Sequence, residues 1–470
     1  GYVPSDCGAI DDFFRNHRTH PDAATAAADA VIHTTDLDCG QVFAHLPEAM
    51  QRGLIDEREI DEELARLLTI RFRLGMFDPE ENDPYATLPY SVLESPAHKA
   101  HALRLAQESM VLLKNDGILP LQHNLTRIVV LGPNADNPEV QLGNYNGFPS
   151  EIVTPLEGIR AKTGAEVLYL QASDYTEATC ADGEIDRALE GADLAIFVGG
   201  ISPRLEGEEG DAGRNAPEGF AGGDRTSIRL PRAQTEVMRH IHEAGIPFVF
   251  VSMSGSALAF PWEAEHADAI LQAWYGGQAA GTAVADILWG DCNPSGRLPV
   301  TFYADDSQLP DFTDYSMRGR TYRYFAGEPL YPFGFGLSYT TFAYDTPVCR
   351  TQRPRTGEPI TITTRVRNTG DRTGEEVVQL YLCHPDAPEP KPIRVLKGVR
   401  RITLRPGEAQ TVEFTLMPRD LALVQPDGRS VCAPGTIRCY IGGAQPDASP
   451  ESERRSCPIR ISGTAKVLPR

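Results

Sequence analysis

Several common signatures are missing from this sequence. No run of 18 apolar residues occurs in its 470 positions, so no stretch reads as a membrane-spanning helix. Cations show no excess. The 44 Lys and Arg are outnumbered by 65 Asp and Glu, giving a net charge of −21, and they are interleaved with acids, which argues against a nucleic-acid partner. The 11 His include no His-x-x-x-His pair, so no metal-ligand spacing is present. The nine Cys are odd in number, widely spaced and without Cys-x-x-Cys. They read as reduced, partly buried thiols, with a disulfide among Cys349, Cys383, Cys432, Cys439 and Cys457 left open. No Gly-x-Ser-x-Gly elbow occurs; the nearest stretch, Ser252-Met253-Ser254-Gly255-Ser256, has the wrong spacing. The opening Gly1-Tyr2-Val3-Pro4-Ser5-Asp6-Cys7-Gly8 begins within what reads as a strand, as an internal cut would. It therefore leaves leader and compartment undecided.

What is present is ordinary globular material. The chain is 41% hydrophobic and 23% charged, with a length that implies two to four domains. Three regions differ in period. In residues 1–85, the apolar Tyr2-Val3-Pro4 delivers Asp6 at its end, before a helix-like stretch from Ile10 to Phe14. Ala30 to Ile32 is expected to be a second short strand delivering Thr34, Thr35, Asp36 and Asp38. A helix follows, with Asp56 and Glu59 as a capping box, Ile60, Leu64, Leu67, Leu68 and Phe72 at helical spacing, and Gly75 as its stop. Strand-helix repetition suggests the end of a (β/α)8 barrel, about a third of the length such a barrel needs. Its unpaired apolar faces are expected to lie exposed.

Residues 95–305 alternate helices, expected at 97–113, 183–190, 232–244 and 278–288, with the apolar runs RIVVLG, AEVLYLQ, LAIFVGG, PFVFVSMS and AILQAW. Continuous runs fit strands buried on both faces of a parallel sheet, hence an α/β sandwich. Residues 306–344 form a connector rich in aromatics and Gly. Residues 345–465 switch to alternation, with Ile360, Ile362, Thr364 and Val366 on one face and then Val412, Phe414 and Leu416. About seven such strands punctuated by turn residues indicate an immunoglobulin-like, fibronectin type III-like β-sandwich.

Two places set carboxylates after apolar strands. One is Asp6, which reads equally as a helix N-cap. The other is the segment after 194–200, with Glu206, Glu208, Glu209, Asp211, Glu218 and Asp224. This reads equally as a solvated loop, and its acids would repel a phosphate at Gly199-Gly200. Two facing carboxylates would be the apparatus of glycoside cleavage. Lys114-Asn115-Asp116-Gly117 reads as a helix-ending turn, and Asn144-Tyr145-Asn146-Gly147 as a plain turn. Trp274 reads as packing or as a sugar platform. Asp36 and Asp38 read as cleft floor or as rim hydrogen bonding.

The stretches GYVPSDCGAI, TTDLDCG, ESMVLLKNDGILPL, LGPNAD with LGNYNGFPS, LWGDCNPSGRLPVTF, GRTYRYF, YPFGFGLSYTTF and VRNTGDRTGEEVVQLYL occur in this order. Together they resemble glycoside hydrolase family 3 over almost the whole chain. The resemblance implies a barrel, an α/β sandwich and a fibronectin type III-like domain. It also implies that most of the barrel lies outside this chain. By it, Asp6 is the nucleophile and Glu208 the acid/base, with Glu206, Glu209 and Glu218 as rivals and Asp224-Arg225 as the downstream pair. Asp38 and Trp274 are its candidate sugar contacts. The implied activity is that of a retaining exo-β-glycosidase acting on an oligosaccharide, without cofactor or metal. Ser5-Asp6-Cys7 with SPRLEGEE resembles the β-xylosidase side of the family more than the β-glucosidase side. A β-glucosidase, or a catalytically incompetent carbohydrate-binding or packing module, are the alternatives. A homodimer is compatible with the sequence, and neither nucleic acid nor membrane is expected as a partner.

Overall fold

The computed structural model describes residues 1–207, 216–221, 224–447 and 450–469. It divides into two compact units, Gly1–Leu93 and Glu94–Arg470.

The first unit carries α1 (Ala9–Arg15), α2 (Ala23–Ile32), α3 (Leu46–Gln51) and α4 (Glu57–Arg73). Ala30 to Ile32, expected as a strand, is the last turn of α2. The reason is local. Asp22 caps the helix by accepting from the Thr25 amide at 2.9 Å, and a run of alanines favours the helix over any strand. The strand-like segment starts later: Pro4 and Leu37 form a parallel bridge. The Asp36 amide donates to Val3 O and the Ser5 amide to Leu37 O, both at 2.8 Å. The capping box of Asp56 and Glu59 is present on α4. Its apolar stripe is not covered within this unit, with Leu64 45% and Phe72 63% exposed.

The second unit begins with α5 (Pro96–Ser109), then β1 (Val111–Asn115), β2 (Arg127–Leu131), α6 (Pro155–Lys162), β3 (Glu166–Leu170), α7 (Asp182–Leu189), β4 (Leu194–Gly200) and α8 (Pro203–Glu206). It continues with β5 (Phe220–Ala221), β6 (Asp224–Arg225), α9 (Arg232–Glu243), β7 (Phe248–Met253), α10 (Pro261–His266), β8 (Ala269–Gln272) and α11 (Ala280–Trp289). The expected 97–113 helix stops at Ser109, because Val111–Asn115 instead pairs antiparallel with β8 as an edge strand. Consequently Lys114-Asn115-Asp116-Gly117 ends a strand rather than a helix, with Asn115 Oδ1 accepting from the Gly117 and Leu119 amides.

The six-stranded sheet runs β1-β8-β7-β4-β2-β3, with β3, β2, β4, β7 and β8 parallel. Every residue of β4 and β7 is buried, as strands covered on both faces require. One face packs Ala106, Leu156, Ile159 and Ala283 from α5, α6 and α11. The other packs Ile185, Leu189, Val237, Met238 and Ile241 from α7 and α9. In chain order the parallel strands lie 2-1-3-4-5, the flavodoxin-like winding, whose switch point falls between β2 and β4. In sheets wound this way ligands gather beyond the carboxyl ends of the strands at the switch point, which is where the acidic segment begins.

The last elements are β9 (Phe342–Tyr344), β10 (Val348–Cys349), β11 (Ile360–Asn368), β12 (Gly374–Cys383), β13 (Val395–Leu404), β14 (Ala409–Leu416), β15 (Leu423–Val424), β16 (Ser430–Cys432), β17 (Gly435–Gly442), β18 (Ser456–Ile461) and β19 (Lys466–Val467). One sheet joins β9, β10, β11 and β14, and a second runs β13-β12-β17-β18. Their inner faces share a core with Ile360, Ile362, Val366, Val412, Phe414 and Leu416, the alternation read from the sequence. Within this unit a buried ion pair ties sandwich to α/β sheet. Arg297 Nη2 lies 2.7 Å from Glu376 Oε2, their side chains 9% and 4% exposed. The Tyr344 hydroxyl donates to the other Glu376 oxygen.

Reduced thiols were expected throughout, but Cys7 and Cys39 form a disulfide. The other seven cysteines, including all five of the C-terminal third, are free. The pairing follows from the Pro4–Leu37 bridge, which brings the two backbones side by side just upstream of both cysteines.

Candidate active site

Asp6 sits immediately after the bridged segment, and its flanks are fixed from both sides. The Ser5 amide donates to Leu37 O at 2.8 Å, and the Gly8 amide to Cys39 O at 2.9 Å. The disulfide at Cys7 adds a covalent tie to the same neighbour. The Cys39 amide donates to Ser5 Oγ at 2.9 Å. The Asp6 carboxylate is exposed and, among the described residues, accepts a hydrogen bond from the adjacent Cys7 amide alone, at 2.9 Å. This is a rigid backbone holding an accessible acid, the mount a nucleophile needs. Asp6 caps no amide of α1: its N-cap position is Gly8, with no side-chain hydrogen bond.

Asp38 is occupied. Its Oδ2 accepts from the Val42 and Phe43 amides at 2.8 and 3.1 Å, and its Oδ1 accepts from the Ser5 hydroxyl at 3.4 Å. These bonds support the Asp6 segment from behind. Asp36 is buried and does the same one step upstream. It accepts from the Val3 amide at 2.6 Å and from Arg66 Nε at 2.7 Å, while Arg66 also contacts Glu63. Burial works to raise the Asp36 pKa, but its bonds to Glu63, Val3 and Arg66 outweigh burial and lower it. Glu63 is raised, by burial first and then by the neighbouring Asp36. The two neighbouring carboxyls are thus pushed in opposite directions around the shared Arg66.

In the second unit the chain leaves β4 at Gly200, whose φ is +117° and where an added Cβ would lie 2.0 Å from Met253 O. Only glycine fits that turn against β7. Gln234 brackets the same turn, accepting from the Gly200 amide at 2.8 Å and donating to its carbonyl at 2.7 Å. Across the switch point, buried Asn134 donates to Gly199 O and Ile201 O, both at 3.2 Å. It accepts from the Tyr175 hydroxyl at 2.8 Å, and burial pushes that phenol up to about 12. The base of the acidic segment is therefore rigid.

Of the four acids proposed for proton transfer, Glu208 and Glu209 lie outside the described residues, as does Asp211. Glu206 ends α8, half-buried, bonded to the loops after β7 and β8. Glu218 is exposed on the edge of a cavity of about 880 Å³ that Arg229, Arg232 and Trp262 also line. Arg225 of the downstream pair is half-buried and donates to Ala257 O at 3.0 Å. Trp274 packs its ring on Phe302 and donates its indole N–H to Ser109 O at 3.1 Å, which uses the polar end of the ring inside the fold.

Sequence reading missed several supports. The tie from Cys7 to Cys39 was legible only as two Ser/Asp-Cys-Gly-like stretches 32 residues apart. The Ser254-Gly255-Ser256 turn was weighed only as a nucleophile elbow. Asn134, in LGPNAD after a buried strand, carried a position but no evident task.

The second unit is thus a doubly wound α/β sheet followed by a two-sheet β-sandwich. The glycosyl hydrolase family 3 C-terminal domain matches residues 110–339, and a fibronectin type III-like domain matches residues 376–445. The chain belongs to glycoside hydrolase family 3. A xylan 1,4-beta-xylosidase of Xylanibacter ruminicola is 33% identical over 89% of this chain and 65% of its own length. The structure is similar to a GH3 exo-beta-xylosidase, XlnD, solved with a xylobiose aziridine probe: TM-score 0.87, 29% identity, 99% of this chain and 62% of that one. It is also similar to a β-glucosidase, EmGH1, from Erythrobacter marinus: TM-score 0.84, 32% identity, 98% and 63%. The chain thus spans somewhat under two thirds of the length of these relatives.

Proposed function

We propose that this chain contributes both reacting carboxyls of a retaining exo-β-glycosidase, with β-xylosidase as its activity. The carrying observation is Asp6. Its carboxylate is exposed, takes a hydrogen bond among the described residues only from its neighbour's amide, and stands on a backbone clamped on both sides. In this reading Asp6 attacks the anomeric carbon while an acid of the segment after β4, with Glu208 first choice, protonates the leaving oxygen. The same acid then accepts a proton from the water that releases the sugar. Asp38 serves as a support for the nucleophile's segment rather than as a sugar ligand. Trp274 serves packing. The names of the xylosidase relative and of the probe-bound neighbour support xylose as the sugar. The β-glucosidase neighbour keeps glucose as the second reading. We further propose that residues 1–85 form the closing portion of a catalytic barrel.

The test is Asp6→Ala in the enzyme expressed from its whole reading frame. A nucleophile at Asp6 predicts loss of the glycosyl-enzyme formed with a 2-fluoro-xyloside, and azide restoring turnover as the α-xylosyl azide. Trapped enzyme labelled on a peptide without Asp6, or Asp6→Ala with unchanged kcat, refutes the assignment.

A further inference from the structure

Of the described acids in the segment after β4, Glu206 differs from the exposed Glu218 in a way that assigns it a task. Three donors converge on its two carboxyl oxygens. The Gly255 amide donates to Oε2 at 2.8 Å, and the Tyr275 hydroxyl donates to the same oxygen at 2.5 Å. The Ser256 hydroxyl donates to Oε1. These donors come from two separate loops, the turn after β7 and the turn after β8. Glu206 therefore pins the end of α8 to both, at the point where the chain leaves at Gly207 with φ +41°.

The partners are shaped for this. At Gly255 an added Cβ would lie 2.9 Å from Glu206 Oε2 and 3.1 Å from Tyr275 Cε2, so the carboxylate reaches the amide only past a residue without a side chain. The Tyr275 phenol is pushed far up, by burial and then by Glu206, so it remains a donor at any working pH. Trp274, just before it, holds φ +57°, a left-handed backbone that a bulky residue adopts only where its surroundings over-determine it. Its indole bond to Ser109 O and the Tyr275 bond to Glu206 clamp that residue on both sides.

We propose that Glu206 is a positioning residue, a latch that accepts from Gly255, Ser256 and Tyr275 and fixes the start of the acidic segment, and that it is not the proton donor. A donor to a leaving oxygen would have to carry its own proton on an oxygen already facing an incoming O–H or N–H. Glu206 has no oxygen free of such a donor. The inference rests on the glycosidase reading only for its kinetic arm.

The structural arm uses this chain alone. Amide exchange is followed at 203–206 and 253–257 in Glu206→Ala, Glu206→Gln and Tyr275→Phe. Loss of one hydrogen bond to a charged acceptor is expected to raise local opening about ten- to hundredfold, with Glu206→Gln recovering part of the protection through its remaining carbonyl. Unchanged exchange in Tyr275→Phe and Glu206→Ala overturns the latch. The kinetic arm uses the enzyme expressed from its whole reading frame. A latch lowers kcat/KM on dinitrophenyl and alkyl xylosides by a similar factor and leaves the alkaline limb of the pH profile in place. If Glu206→Ala instead spares the dinitrophenyl substrate, loses the alkyl one and loses that limb, Glu206 is the acid and the proposal fails. Wild-type enzyme inactive on these xylosides and on the matching glucosides refutes the glycosidase reading while leaving the exchange arm decisive.

Discussion

Opening the Cys7–Cys39 bridge should unfold the first unit before the second. The size of the effect can be worked from the chain. The bridge closes a segment with a sequence separation of 32, for which the chain-entropy relation gives about 3.7 kcal/mol at 25 °C. Few large side chains of the unit are fully buried, although Phe13, Phe14, Phe43, Leu46, Leu54 and Ile60 pack partly buried against its core. Its two buried clusters hold Ile10, Val42 and Ile55 as large side chains beside six alanines. Three large side chains contribute about 5–9 kcal/mol of gross burial, so the bridge is worth roughly half of it. Leu64, Phe72, Leu74, Met76 and Phe77 are exposed and add little burial within the unit. The assay is pulse proteolysis across a urea series, with and without a phosphine reductant and on a Cys7→Ala, Cys39→Ala double variant, with peptides mapped by mass spectrometry. Cleavage within 1–93 should become favoured by about 500-fold in its opening equilibrium. Cleavage within 94–470 should keep its midpoint, because the described cysteines there are free thiols. A shift under tenfold within 1–93, or an equal shift in both units, would refute the reasoning.

Three other outcomes follow from buried charge. Glu376→Ala leaves the Arg297 guanidinium buried without its partner; the expected cost is about 3–5 kcal/mol, read as a lower urea midpoint for 94–470, and a cost below about 1 kcal/mol would contradict the pairing. Burial first, then Lys397 and Lys391, pushes His384 down to about 4. Its contribution is therefore present above its ordinary value of 6.5 and lost as pH falls from there toward 4, so His384→Gln should flatten the acid side of the sandwich's stability profile. Arg66→Met removes the cation between Asp36 and Glu63 and should speed exchange of the Val3 amide. The effect should be worse at high pH, since the raised Glu63 contributes below its ordinary value and loses that contribution as pH rises through its folded one; equal protection factors at both ends, with the intrinsic pH dependence of exchange divided out, would refute the linkage.

How far the sequence can be read depends on whether its pattern is local. The buried strands β2, β4 and β7 are continuous apolar runs, and nothing nearby competes with them. The alternation of β14 is equally plain, with Val412, Phe414 and Leu416 inside. Failure came where two local patterns overlapped. Ala30–Ile32 looks like a strand beside Thr34 and Thr35, yet the Asp22 cap lies eight residues upstream of Ala30 and the alanines between extend the helix. Val111–Leu113 continues the helical spacing of α5 and is taken instead into β1 against β8, a partner about 160 residues away that no local window contains. The candidate site divides likewise. Asp6 was legible through its motif. The supports that hold it, Leu37, Cys39, Asp36 and Arg66, lie more than 30 positions from it or are joined only through the fold.

The proposed mechanism draws on two chain segments whose described bases are anchored by different physical means. Asp6 stands on a unit with an alanine core, held by a covalent bridge and buried carboxyls that share Arg66. The acidic segment leaves a sheet whose strands are buried on both faces, and it is steered by the Gly200 turn, Gln234 and Asn134. The first mount is sensitive to reductant and to pH, through the disulfide and the Asp36–Glu63 pair. The second depends on apolar packing and neutral hydrogen bonds, which neither reductant nor moderate pH removes. Inactivation by reductant should therefore abolish labelling of Asp6 by a 2-fluoro-xyloside while leaving amide protection around Gly200 and Glu206 intact. If reductant inactivates the enzyme and yet Asp6 is still labelled at the native rate, the bridge does not mount the nucleophile, and the damage lies elsewhere in the fold.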